Sequence, residues 1–146
     1  MSDAEVAEFL DSQRVVVVAS NGREGWPHLM PLWYVIRDGE IWAWTYAKSQ
    51  KVKNLERDDR ATLQVEFGQE YHELRGVMVE ANTVVHRQLE AVAELGAEIA
   101  ERYTGGAAAD AGARNALRTQ AAKRVGLQFI PRRIASWDHG KLGGAY

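Results

Sequence analysis

The hydrophobic positions along this chain change period several times, and each change marks an element. Val6, Phe9 and Leu10 fall at i, i+3 and i+4, so residues 3–12 read as a short helix. The β-branched run Arg14–Ser20 reads as a strand ended by the turn "NGREG". "PHLMPLWYVI", Pro27–Ile36, reads as a second strand. Pro27 and Pro31 direct it to an edge or a bulge, because proline has no N–H to give to a ladder. "RDGE" is a hairpin turn. In "EIWAWTY", Trp42, Trp44 and Tyr46 share one face, and Ile41, Ala43 and Thr45 the other.

A helical stretch follows, with Ser49 as its expected N-cap and Val52 and Leu55 as its anchors. "RATLQVEF" then alternates, with Ala61, Leu63, Val65 and Phe67 expected inward. Leu74–Val85 is a further strand, and residues 87–103 form a helix with Leu89, Val92, Gly96, Ile99 and Tyr103 along one stripe. "TGGAAADAGA" is a small-residue loop. A helix over 113–123 leads to a final strand, "RVGLQFIP", and to an aromatic, glycine-rich tail, "RRIASWDHGKLGGAY". Six short strands with hairpin turns and intervening helices predict a mainly β fold, a small antiparallel barrel flanked by helices. The pattern lacks the regular βαβ alternation of a doubly wound sheet. No internal repeat is visible, and residues 1–146 read as a single domain.

Composition narrows the chemistry. At 46% hydrophobic the chain can build a core, and a net charge of -2 gives no overall pull toward nucleic acid or anionic membrane. The absence of cysteine excludes disulfides, thiolate catalysis and cysteine-ligated zinc. "MSDAEVAEFL" is acidic and unlike a signal peptide, and the apolar run Val15–Ala19 is too short to span a bilayer. A cytoplasmic protein is therefore expected. His28, His72, His86 and His139 are not at metal-ligand spacings, and there is no serine elbow or paired-carboxylate motif.

The informative stretch is "TYAKSQKVKNLERDDRATLQVEF", Thr45–Phe67. Lys48, Lys51 and Lys53 crowd the start of a helix, which is already the positive end of its dipole. One explanation is a solvated helix face. The other is an anion site, in which backbone N–H groups with Ser49, Gln50 and Lys51 cradle a phosphate.

The order of elements around that stretch resembles the pyridoxamine-phosphate-oxidase-like split-barrel family, which binds flavins and deazaflavins. The likeness runs over roughly residues 4–85 and 123–139, and "KSQKVKNLERDDRATL" is its most specific part. It implies a six-stranded split β-barrel. It also implies a phosphate-binding segment made by Thr45, Tyr46, Ser49, Gln50 and Lys51, with Lys48 and Lys53 nearby. The strand holding Leu32 and Trp33 would pass beside the cofactor ring.

True pyridoxamine phosphate oxidases carry an arginine-to-lysine spacing on the second strand that grips FMN. "HLMPLWYVI" has no Arg or Lys, and Gln50 stands where FMN-binding members often have Arg. No arginine pair for a pyridoxal substrate is found in "SWDHGKLGGAY". These departures favour the branch that resembles deazaflavin-dependent oxidoreductases. That branch implies hydride transfer from coenzyme F420 to a small organic acceptor. An FMN-binding oxidase or reductase and a non-catalytic cofactor-sequestering protein are the alternatives. The resemblance further implies a homodimer with the cofactor cleft between subunits, where Trp137 and Lys141 of the tail would make the first contacts.

Overall fold

The computed structural model describes residues 1–106 and 110–143. Its elements run in the order α1 (Asp3–Ser12), β1 (Val16–Asn21), β2 (Pro27–Leu32), β3 (Val35–Arg37), β4 (Glu40–Tyr46), α2 (Gln50–Arg57), β5 (Arg60–Phe67), β6 (Arg75–His86), α3 (Leu89–Thr104), α4 (Ala111–Ala121) and β7 (Arg124–Asp138). The strands form one antiparallel sheet ordered β2-β1-β5-β6-β7-β4-β3.

The two edge strands, β2 and β3, are consecutive in sequence, separated only by Trp33 and Tyr34. Three residue steps span at most about 11 Å. The sheet must therefore curl until its edges nearly meet, which makes it a split barrel. Its interior is filled by Val16, Val18, Leu63, Val65, Val77, Leu127 and Phe129, all essentially inaccessible to solvent. The alternation of β5 places Ala61, Leu63 and Val65 inside, as expected.

Local chemistry accounts for the ends and turns. Ser2 and Glu5 close a capping box at the start of α1, which buries Val6, Phe9 and Leu10. Asp38 and Gly39 both have positive φ, 50° and 80°, as a two-residue hairpin between β3 and β4 requires. Pro27 and Pro31 fall where a missing N–H is tolerated, since β2 pairs with β1 alone.

Several expectations are corrected. The strand expected over Pro27–Ile36 is two strands, so the sheet has seven strands, not six. The chain leaves β2 at Trp33–Tyr34, where Tyr34 is fully buried and its hydroxyl donates to Leu10 O at 2.5 Å. Burial pushes that phenol up to about 12. The final strand does not stop at Pro131. The register slips between Glu80 and Ala81, so that Arg132 is bulged out between paired Pro131 and Arg133, and β7 continues to Asp138. Phe67 points to solvent at 47% exposure, because β5 outruns the core there and the Arg75 guanidinium covers the ring instead. Leu89 opens α3 and is also exposed, while Val92, Leu95, Gly96 and Ile99 carry its buried stripe. The loop expected over 104–113 falls partly outside the described residues, as do the last three residues of the tail. Among the described residues no helix is long and apolar enough to cross a membrane.

Candidate functional site

The lysine-rich helix sorts its three lysines by burial. Lys48 and Lys53 are exposed, whereas Lys51 is buried together with Val52, Asn54 and Leu55. These four positions share the face of α2 that plugs the barrel end beside β1. Lys51 Nζ donates to Thr45 Oγ1 at 2.9 Å, and among the described residues no carboxylate pairs with it. Burial holds the ammonium below its ordinary value. An ammonium desolvated in this way, with a hydroxyl as its hydrogen-bond partner, is matched to an incoming anion.

Ser49 occupies the N-cap position with extended backbone, but its side chain does not cap the helix. Its Oγ is buried and has no hydrogen-bond partner. The first-turn N–H groups of α2 have no intrahelical acceptors, and no acidic side chain lies in that turn. An orphan hydroxyl, unmatched N–H donors and a buried ammonium thus converge on one short segment. This donor set fits a phosphate.

The neighbours of this segment divide. Thr45 is buried at the end of β4. Gln50 is turned away, its Nε2 donating to Asn54 Oδ1 at 2.9 Å. Tyr46 is exposed, with the Arg124 guanidinium 4.4 Å from its ring centroid. Leu32 packs against the core at the end of β2. Trp33 stacks on Tyr103 at 4.4 Å and 9° and lines a hollow between β4, α3 and α4.

Trp137, at the opposite end of β7 from Val125, the partner of Thr45, and Lys141, just beyond that end, are not brought to Lys51 within this chain. The Trp137 indole covers Gly76, where a Cβ would sit 2.2 Å from Cζ2. Lys141 pairs with Glu5 at 2.6 Å, and this hydrogen bond is the main reason the Glu5 carboxyl is lowered to about 2.

Sequence reasoning missed Asn54 and Ser20. Asn54 is fully buried, donates to Ser20 Oγ at 3.1 Å and accepts from Gln50, so it locks α2 onto β1. The available signal was its position three residues after Lys51, on the face of Val52 and Leu55.

With this geometry in view, a family model for pyridoxamine 5'-phosphate oxidase matches residues 2–138. The chain belongs to that family. Among solved structures, a conserved hypothetical protein from Mycobacterium tuberculosis is 42% identical, with a TM-score of 0.90 over 100% of this chain and 90% of that one. Two more distant members of the same fold are similar in structure. A FAD-binding protein from Mesorhizobium loti is 17% identical with a TM-score of 0.67, over 93% of this chain and 94% of that one. An F420 reductase is 15% identical with a TM-score of 0.68, over 88% and 94%. No curated protein matches the chain. At these lower identities the likeness is one of fold. The family supports a flavin-type cofactor and leaves its identity to the residues of the site.

Proposed function

We propose that this family member is an F420-dependent oxidoreductase that passes hydride to a small organic acceptor. The observation that carries the reading is the convergence of the orphan Ser49 Oγ and the unpaired, buried Lys51 ammonium at the open start of α2. Lys51, Thr45, Ser49 and the first-turn N–H groups hold the cofactor phosphate, and Lys48 and Lys53 contribute long-range attraction. When bound, the deazaflavin supplies the hydride chemistry. The chain's own part is to fix the phosphate, orient the ring beside Leu32 and Trp33, and keep water from the reacting face.

F420 is favoured over FMN by what the segment lacks. β2 has no Arg or Lys, and position 50 is Gln, already committed to Asn54. A homodimer in the cytoplasm completes the reading. It is supported by Trp26, Leu29 and Met30, which are exposed on the edge strand β2 and the turn before it. In the dimer, Trp137 and Lys141 of one subunit close the cleft of the other.

Fluorescence titrations with F420 and FMN, run side by side, test the reading. Tighter binding of F420, with turnover of reduced F420 by a quinone, enone or nitroaromatic acceptor, is the expected result. Binding of FMN alone gives the flavoprotein alternative. Tight F420 binding without turnover on any acceptor gives the sequestering one.

A further inference from the structure

β4 has two faces, and Lys51 engages only the inner one, through Thr45. On the outer face Trp44 looks into a hollow of about 480 Å³ that α3 and α4 roof over. This is within the size range of sites for small molecules.

The hollow is opened by small residues on both helices, set among the larger Ile99 and Leu117. Gly96 and Ala100 of α3, one turn apart, face Ala113 and Ala116 of α4 across it. Larger residues at these positions would have made an ordinary helix–helix core. The larger apolar walls are the indoles of Trp33 and Trp44, with Ile99 and Leu117 beside them. Trp33 is held in place by its stack on Tyr103, and Trp44 by its contact with Gly96.

Among the described residues that line the hollow, Arg124 is the one cation. The Arg124 guanidinium carbon lies 4.6 Å from the Trp44 ring centroid and 4.4 Å from that of Tyr46, so both rings hold it in place. Its one hydrogen bond among the described residues is a long one, from Nη1 to Gln120 O at 3.3 Å. Nearby arginines are neutralised, Arg118 by Glu90 and Arg37 by Glu98, but among the described residues no carboxylate pairs with Arg124. A guanidinium stacked on rings keeps its in-plane N–H edges free for an oxyanion.

We infer that this hollow binds a flat, apolar molecule carrying one anionic group, an aromatic carboxylate or sulfonate. Its rings lie between Trp33 and Trp44 and its anion meets Arg124. The inference does not rest on the phosphate cradle, because cradle and hollow use opposite faces of β4; Trp33 alone is common to the hollow and the proposed ring site.

The test uses 8-anilinonaphthalene-1-sulfonate and its uncharged counterpart N-phenyl-1-naphthylamine, each titrated by fluorescence against the full chain. Wild type is expected to bind one of either per chain. Arg124→Gln should weaken the sulfonate by about tenfold or more and leave the uncharged compound essentially unchanged. Ala116→Phe should remove both by filling the hollow, and Ala113→Leu should weaken both. Circular dichroism melts show which variants fold, and either filling variant suffices. Lys51→Ala should change neither isotherm. The inference is overturned if a folded filling variant binds like wild type. It is equally overturned if Arg124→Gln weakens both compounds alike, or if Lys51→Ala abolishes binding.

Discussion

Gly96 of α3 lies against the Trp44 indole of β4 so closely that a Cβ at position 96 would meet Cζ3 at 2.4 Å. In an open helix interior, Gly to Ala gains about 1 kcal/mol from propensity. Here the added methyl must displace a ring packed between helix and sheet, and overpacking costs about 1–3 kcal/mol. Gly96→Ala is therefore expected to be net destabilising, with a Tm lower by a few degrees. A thermal melt that rises instead would show that the indole yields without cost.

Ser49→Ala separates a ligand-binding hydroxyl from a helix cap. Losing a capping serine usually costs about 1 kcal/mol. Ser49 makes no capping bond and its buried Oγ has no partner, so the apo protein should melt within about 0.5 kcal/mol of wild type. Cofactor titration should nonetheless show weaker binding, by up to about tenfold. A marked loss of apo stability with unchanged binding would make Ser49 a structural residue only.

Lys51 ties binding to pH. Burial lowers its ammonium from the ordinary 10.5. Between the lowered value and 10.5 the unfolded chain holds a proton that the folded chain has released, so apo stability rises with pH through that window. Phosphate binding needs the charged form, so cofactor affinity should fall through the same window. Lys51→Met should flatten both dependences. Its apo form should melt no lower than wild type, and its affinity at neutral pH should drop about ten- to a hundredfold. Parallel pH titrations of melting and binding check this. An affinity in the variant equal to that of wild type would remove Lys51 from the site.

Tyr103 fastens the break between the two edge strands. Its hydroxyl accepts from Tyr34 N at 3.0 Å and lies 2.7 Å from Arg14 O and 3.0 Å from Tyr34 O as a donor. Tyr103→Phe leaves a part-buried backbone N–H without its acceptor, at a cost of about 1–3 kcal/mol. Denaturant unfolding should show that loss. The Trp33 emission should change little, because the ring stack survives. A silent substitution would show that water replaces the hydroxyl.

Where burial and periodicity coincide, the fold was legible in the chain. The stripe of α1, the inward residues Ala61, Leu63 and Val65 of β5, and the hairpin at Asp38–Gly39 all stand where the pattern put them. The polar, lysine-rich run Thr45–Lys51 was legible too, as the end of a strand and the start of a helix. Local sequence was silent on what distant strands do. Pro131 looked like a strand end, yet a bulge opposite Glu80–Ala81 absorbs it. Phe67 continued an alternation past the edge of the core.

The sequence by itself determined most of the element order, most core-facing positions and the residue types at the start of α2. These depend on the periods of 2 and 3.6 residues and on neighbours a few positions apart. Only the tertiary structure decided which of three lysines is buried and which serine hydroxyl is left without a partner. It also decided that Trp33 belongs with Tyr103 and α3, and that Arg124 faces a hollow rather than a carboxylate. The physical reason is that desolvation and unmet hydrogen bonds are properties of a closed surface. That surface exists only once the sheet has curled and its two edges have met at Trp33 and Tyr34.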